Sequence, residues 1–178
     1  MEQKQLTKQE RFVAYVIKQC SEDSGFAACL RRADNPNEED YSYRIMISFG
    51  IDINNDLERL PYALIGAALA RSQEEHDGTA NLGKALRHCF ADEEQGQIRL
   101  RRLLACQSIE ELCRVLRPIL TLIASKSTEK LCYARLLQEL LFFYCNPKQR
   151  ARNWSKEYYR CASSEKSEWF ETSSSVQV

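Results

Sequence analysis

Apolar residues along this chain recur at helical spacing from near the N-terminus to about residue 160. Phe12, Val13, Val16, Ile17 and Cys20 share one face of a helix over about 8–20, and Thr7-Lys8-Gln9-Glu10 ahead of them has the S/T-x-x-E form of a capping box. Ser24-Gly25 separates it from a short helix, Phe26 to Ala33, which Asn35-Pro36 must terminate. Tyr41, Ile45, Met46 and Phe49 stand near helical spacing but also suit a short strand. Leu57, Leu60, Leu64, Ile65, Ala68 and Leu69 predict a helix over about 56–71, with Pro61 best placed in its first turn. Residues 72–80 read as a loop, and Asn81 to Phe90 as a short helix.

The run Ala91-Asp92-Glu93-Glu94-Gln95-Gly96 is acidic, lacks large apolar groups, and reads as a domain boundary. A basic helix from Gln97 to Cys106 follows it. Ser108-Ile109-Glu110-Glu111 is a second capping box, opening a helix that buries Leu112, Val115, Leu116 and Ile119 and that Pro118 is expected to kink or split. Ser127 or Thr128 is expected to cap a helix running to about Cys145, with Leu131, Ala134, Leu137 and Leu141 as its stripe. Asn146-Pro147 supplies an N-cap and a first-turn proline for a last helix ending near Ala162. The predicted fold is all-α, two small packed helical bundles over 1–91 and 97–162. The Ser/Glu-rich tail, 163–178, is expected to be disordered.

With only 6 Gly and 4 Pro in 178 residues, the composition argues against a strand-and-turn architecture. The N-terminus lacks the apolar core of a signal peptide, and no apolar run approaches the ~20 residues that span a bilayer. These features predict a soluble, cytoplasmic protein with no membrane association. The eight cysteines form no C-x-x-C pair and have only His76 and His88 to assist them, so reduced thiols are expected and no metal site or cofactor. There is no Walker loop, G-x-S-x-G or H-E-x-x-H, and neither histidine has a nucleophile partner, so no enzyme is predicted.

Charge changes the picture more than chemistry does. The formal net charge is zero, yet residues 1–83 carry −5, residues 84–160 carry +7, and the last eighteen carry −2. Such a distribution makes a directional field that steers polyanions towards one face. Arg99, Arg101 and Arg102 lie within one helical turn; Lys84 and Arg87 lie one turn apart; Arg31-Arg32 adds a pair in the acidic half. Lys126 and Lys130 flank an expected helix N-terminus, where the dipole favours phosphate. Lys148, Arg152, Lys156 and Arg160 form a ridge opposite Pro147, Ala151, Trp154, Tyr158 and Cys161, an arrangement equally expected of an ordinary solvated helix. None of these clusters has the Asn/Gln/Ser set of a base-reading helix, so the predicted contact is with a nucleic-acid backbone.

A set of ordered segments resembles a known family. Cys29-Leu30-Arg31-Arg32-Ala33 precedes Asn35-Pro36, then come Leu60-Pro61-Tyr62 with 63–71, and Asn81-Leu82-Gly83-Lys84-Ala85-Leu86. Ile98 to Leu104, Leu116-Arg117 through Ser125-Lys126, Tyr133 to Leu137 and Arg150 to Tyr159 complete it. Together they resemble the small subunit (CasB family) of the type I-E CRISPR Cascade complex. The resemblance implies a non-catalytic helical protein of two bundles, present in two copies. It would meet the large subunit and the repeated backbone subunits, and stabilise the crRNA–target heteroduplex and the displaced DNA strand. By position it makes Arg31, Arg32, Lys84, Arg87, Arg99, Arg101 and Arg102 the nucleic-acid contacts, with Lys126, Lys130 and Arg135 as further candidates. The rival reading is a helical scaffold whose basic face meets acidic proteins only.

Overall fold

The Thr7 hydroxyl accepts from the Glu10 backbone N–H at 3.2 Å and the Glu10 carboxylate accepts from the Thr7 N–H at 2.8 Å, so α1 (Lys8–Glu22) starts at the predicted capping box. This computed structural model describes residues 5–90 and 92–173, and the side chains of these except Pro36 and 162–173. Asp23 caps α2 (Ser24–Arg32) by accepting from the Gly25 and Phe26 N–H groups. A 3-10 segment, Pro36–Ser42, leads into α3 (Tyr43–Ser48), so the ambiguous stretch is helical. Asn55 caps α4 (Asp56–Ser72).

Every residue from Pro61 to Ala70 is buried, which makes α4 the central helix, packed on by α1, α2, α7 and α8. Pro61 lies in its second turn rather than its first, where its missing N–H forgoes one intrahelical bond, yet the helix is unbroken.

The later elements correct the sequence reading more often. Asn81 caps α5 (Leu82–Arg87). The acidic run at 91–96 is not a connection throughout: Asp92 caps α6 (Glu93–Leu104), and Glu93 and Glu94 form its first turn, where acids suit the positive end of the helix dipole. Position 96 of this helix is a glycine where a Cβ would collide with the Tyr158 hydroxyl. Ser108 caps α7 (Ile109–Lys126), which continues through Pro118 without splitting.

Ser127 is the C-cap of α7, and neither it nor Thr128 starts the next helix. That helix, α8 (Tyr133–Leu141), is capped instead by Asp77, whose carboxylate accepts from the Tyr133 N–H at 2.7 Å and the Ala134 N–H at 3.1 Å. An isolated parallel bridge, Ala80 to Leu131, holds the intervening chain extended. A 3-10 turn, Phe143–Cys145, follows, and Asn146-Pro147 begins α9 as predicted. α9 (Pro147–Ser173) runs past the expected end near Ala162, and residues 174–178 of the predicted tail lie outside the described residues.

The all-α expectation is borne out. One cluster of buried side chains extends from Phe12 on α1 to Tyr158 on α9, with α4 on α7 and α5 on α9 as its most extensive packing.

Candidate nucleic-acid interface

The ten cations singled out from the sequence fall into groups according to what meets each side chain. Three are already neutralised within the chain. Lys84 Nζ lies 2.9 Å from Glu129 Oε1, and that hydrogen bond holds the Glu129 carboxyl below its ordinary range. Lys130 Nζ lies 2.7 Å from Glu74, which raises the ammonium pKa. Arg135 is paired with Glu157 and, at 3.1 Å, with Glu139; burial opposes its charge, but the Glu139 hydrogen bond and the two carboxylates outweigh it. Glu139 is itself buried and also accepts from the Trp154 indole at 2.7 Å, so Arg135 is tied to the contact of α8 with α9 while its own side chain stays exposed.

Six others have no ion-pair partner among the described residues: Arg31, Arg32, Arg99, Arg101, Arg102 and Lys126. Arg31 and Arg32 end α2. Arg31 Nη1 donates to the Ala70 carbonyl at 3.3 Å, and the Arg32 guanidinium stands 5.6 Å from the Tyr41 ring centroid. Just beyond them Asp34 is paired with Arg71 of α4 and, at 2.8 Å, with Arg117 of α7.

Arg87 ends α5, Arg99, Arg101 and Arg102 belong to α6, and Lys126 ends α7. Arg99 lies over the Phe90 ring at 4.7 Å, and Arg87 Nη1 donates to the Phe90 carbonyl at 3.1 Å. Phe90 thus draws together cations from α5 and α6. Lys126 is near enough to Cys89 to act on it, although burial dominates and pushes that thiol up to about 11. Arg99 and Arg102 line a groove against Val115, Pro118, Ile119 and Leu122 of α7, while Arg101 is exposed and lies on another face of α6.

Sequence reasoning did not single out Arg44 or Arg114, both exposed and without an ion-pair partner among the described residues. Arg114 was open to detection, since the period that buries Leu112 and Leu116 turns it outward. On α9 the expected faces are present: Trp154 and Tyr158 are fully buried, and Lys148, Arg152, Lys156 and Arg160 are exposed. Among the described residues no group of three or more His, Cys, Asp or Glu is placed to hold a metal ion, and no helix is long and apolar enough to cross a membrane.

Residues 27–159 match the family described as CRISPR-associated protein Cse2. The chain belongs to the Cse2 family. This is the family that the ordered sequence segments resemble. The fold agrees with solved structures of the same kind at low identity. A chain of a CRISPR RNA-guided surveillance complex superposes with a TM-score of 0.73 at 20% identity, covering 90% of this chain and 96% of that one. CasB from M. ruber gives 0.69 at 21% identity, covering 92% and 98%. CasB from Thermobifida fusca gives 0.62 at 18%, covering 86% and 99%. A comparison with curated protein sequences finds no match. Cse2 membership covers every one of the ten candidate cations, from Arg31 to Arg135.

Proposed function

We propose that this chain is the small, non-catalytic subunit of a type I-E Cascade surveillance complex, and that it grips nucleic-acid backbones without reading sequence. The observation that carries the reading is the sorting of the cations. Arg31, Arg32, Arg99, Arg101, Arg102 and Lys126 have no ion-pair partner among the described residues, whereas Lys84, Lys130 and Arg135 are paired with carboxylates. Unpaired surface charge of one sign lowers stability slightly through self-repulsion and attracts anionic partners to the face that carries it. Phosphates are partners of this kind, since guanidinium groups take two phosphate oxygens at once.

In this reading the partners are a second copy of the chain, the backbone and large subunits, the crRNA, and the target and displaced DNA strands. Base pairing with the guide supplies sequence recognition and leaves this subunit to hold phosphates. The setting is the cytoplasm, and the acidic N-terminal half is free to face protein.

Salt titration of single-stranded DNA binding tests the reading. Changing Arg31, Arg99 and Arg102 together to Ala is expected to weaken binding at least tenfold at low salt and to flatten the log–log salt slope by about 2, near 0.7 per lost phosphate contact. Unchanged affinity and slope would assign the basic face to acidic protein partners instead.

A further inference from the structure

Next to Arg32 the surface opens into a cavity of about 570 Å3 between α1, α2 and α3, lined by Tyr15, Phe26, Tyr41 and Arg44 among others. Its size is that of a small-ligand site. Its rings are not spent on the core: Tyr15 is 41% exposed and Tyr41 is 44% exposed, although each already touches a neighbour. Tyr15 stands edge-on to Phe26 and Phe49, with centroids 6.4 and 5.4 Å away, so its orientation is fixed. Tyr41 is steadied by the Arg32 guanidinium at 5.6 Å. Arg44 lines the cavity, is exposed, and has no ion-pair partner among the described residues. Polar edges are present as well, in Gln19 and in the carboxylate of Asp23, whose Oδ1 accepts from the Gly25 N–H at 2.8 Å.

Held aromatic faces beside unpaired guanidinium groups are what single-stranded nucleic acid needs: rings to receive a base and cations for the phosphates on either side. Of the charged groups at the rim, the two cations, Arg44 in the lining and Arg32 against Tyr41, outnumber the one carboxylate, Asp23, which favours an anionic strand over a neutral peptide. We propose that this cavity receives one unpaired nucleobase of a bound single strand, stacked on Tyr41 or Tyr15, with Arg44 and Arg32 on its flanking phosphates. The inference rests on the nucleic-acid reading above and adds to it a base-dependent contact that phosphate gripping does not require.

The test uses the full chain and dodecamers carrying 2-aminopurine, with DNA and RNA of the same sequence as separate arms, and a matched strand whose central positions are abasic. Stacking predicts that 2-aminopurine fluorescence falls on binding in at least one arm and that the abasic strand binds about tenfold more weakly. Tyr15→Ala with Tyr41→Ala is expected to abolish the quenching and the preference while leaving the salt slope intact. Tyr41→Phe, which keeps the ring, is expected to retain both. Equal affinity for intact and abasic strands with no quenching in either arm overturns the base site; a normal salt slope in the same experiment leaves the phosphate reading standing. Loss of the slope in the Arg31/Arg99/Arg102 variant is read separately, so the two claims can fail independently.

Discussion

Arg135 stands on α8 within reach of two carboxylates, Glu139 of its own helix and Glu157 of α9. Helical spacing places it correctly on the outward side of α8, opposite Leu136 and Leu137. What spacing does not supply is its partner, because Glu157 comes from α9, and the buried Glu139 between them also serves Trp154. A cation read as a phosphate contact is therefore also held by carboxylates of α8 and α9. Arg31 and Arg99 could be read more directly, because their neighbours are a carbonyl and a ring rather than an acid. The cysteines carry a prediction of their own. Burial pushes Cys20 and Cys89 up to about 11 and Cys113 up to about 12, from an ordinary 9.0. Above about pH 9 the unfolded chain has lost these protons while the folded chain still binds them. Their contribution to stability is thus fully present below pH 9 and is lost as the pH rises towards 11 and 12. The urea midpoint is expected to fall between pH 8 and pH 10.5, and a constant or rising midpoint would contradict the burial of these thiols.

At the level of elements, local signals were legible and remote ones were not. The starts of α1, α7 and α9 follow from residues within four positions of the helix, and all three stand where the sequence puts them. The start of α8 depends on Asp77, more than fifty residues earlier, whose carboxylate replaces a local cap. α6 starts early because an acidic run that reads as a boundary is also a good first turn. The contact between α5 and α9 is another remote relation, set by Gly83. A Cβ there would lie 2.5 Å from the Trp154 carbonyl oxygen and 2.7 Å from the Tyr158 nitrogen, both backbone atoms of a helix that cannot yield locally. Gly83→Ala gains about 1 kcal/mol of helix propensity but is expected to lose about 2–3 kcal/mol net by forcing α9 away. Equilibrium unfolding in urea measures the difference; a neutral or stabilised variant would show that α5 and α9 do not meet this closely.

Over the whole molecule, dividing charge by sequence half gives an incomplete map. The +7 of residues 84–160 already subtracts Glu129, Glu139 and Glu157, the partners of Lys84 and Arg135, so only the pair of Lys130 with Glu74 draws a carboxylate from the other half. Meanwhile Arg31, Arg32 and Arg44 contribute exposed cations from the half with a −5 balance. The fold class was legible because periodicity reports burial. The interface was only half legible, because charge in a sequence does not show where carboxylates from other helices end up. The proposed role is tested most directly in the assembled complex. Cascade reconstituted with the Arg31/Arg99/Arg102 to Ala chain is expected to assemble with the same subunit stoichiometry as wild type. By electrophoretic mobility shift it is expected to hold target DNA at least tenfold more weakly at low salt, with the deficit shrinking as salt is raised. Wild-type DNA binding by that complex, or its failure to assemble, would contradict a nucleic-acid role for these cations and identify the basic face as a protein-binding surface.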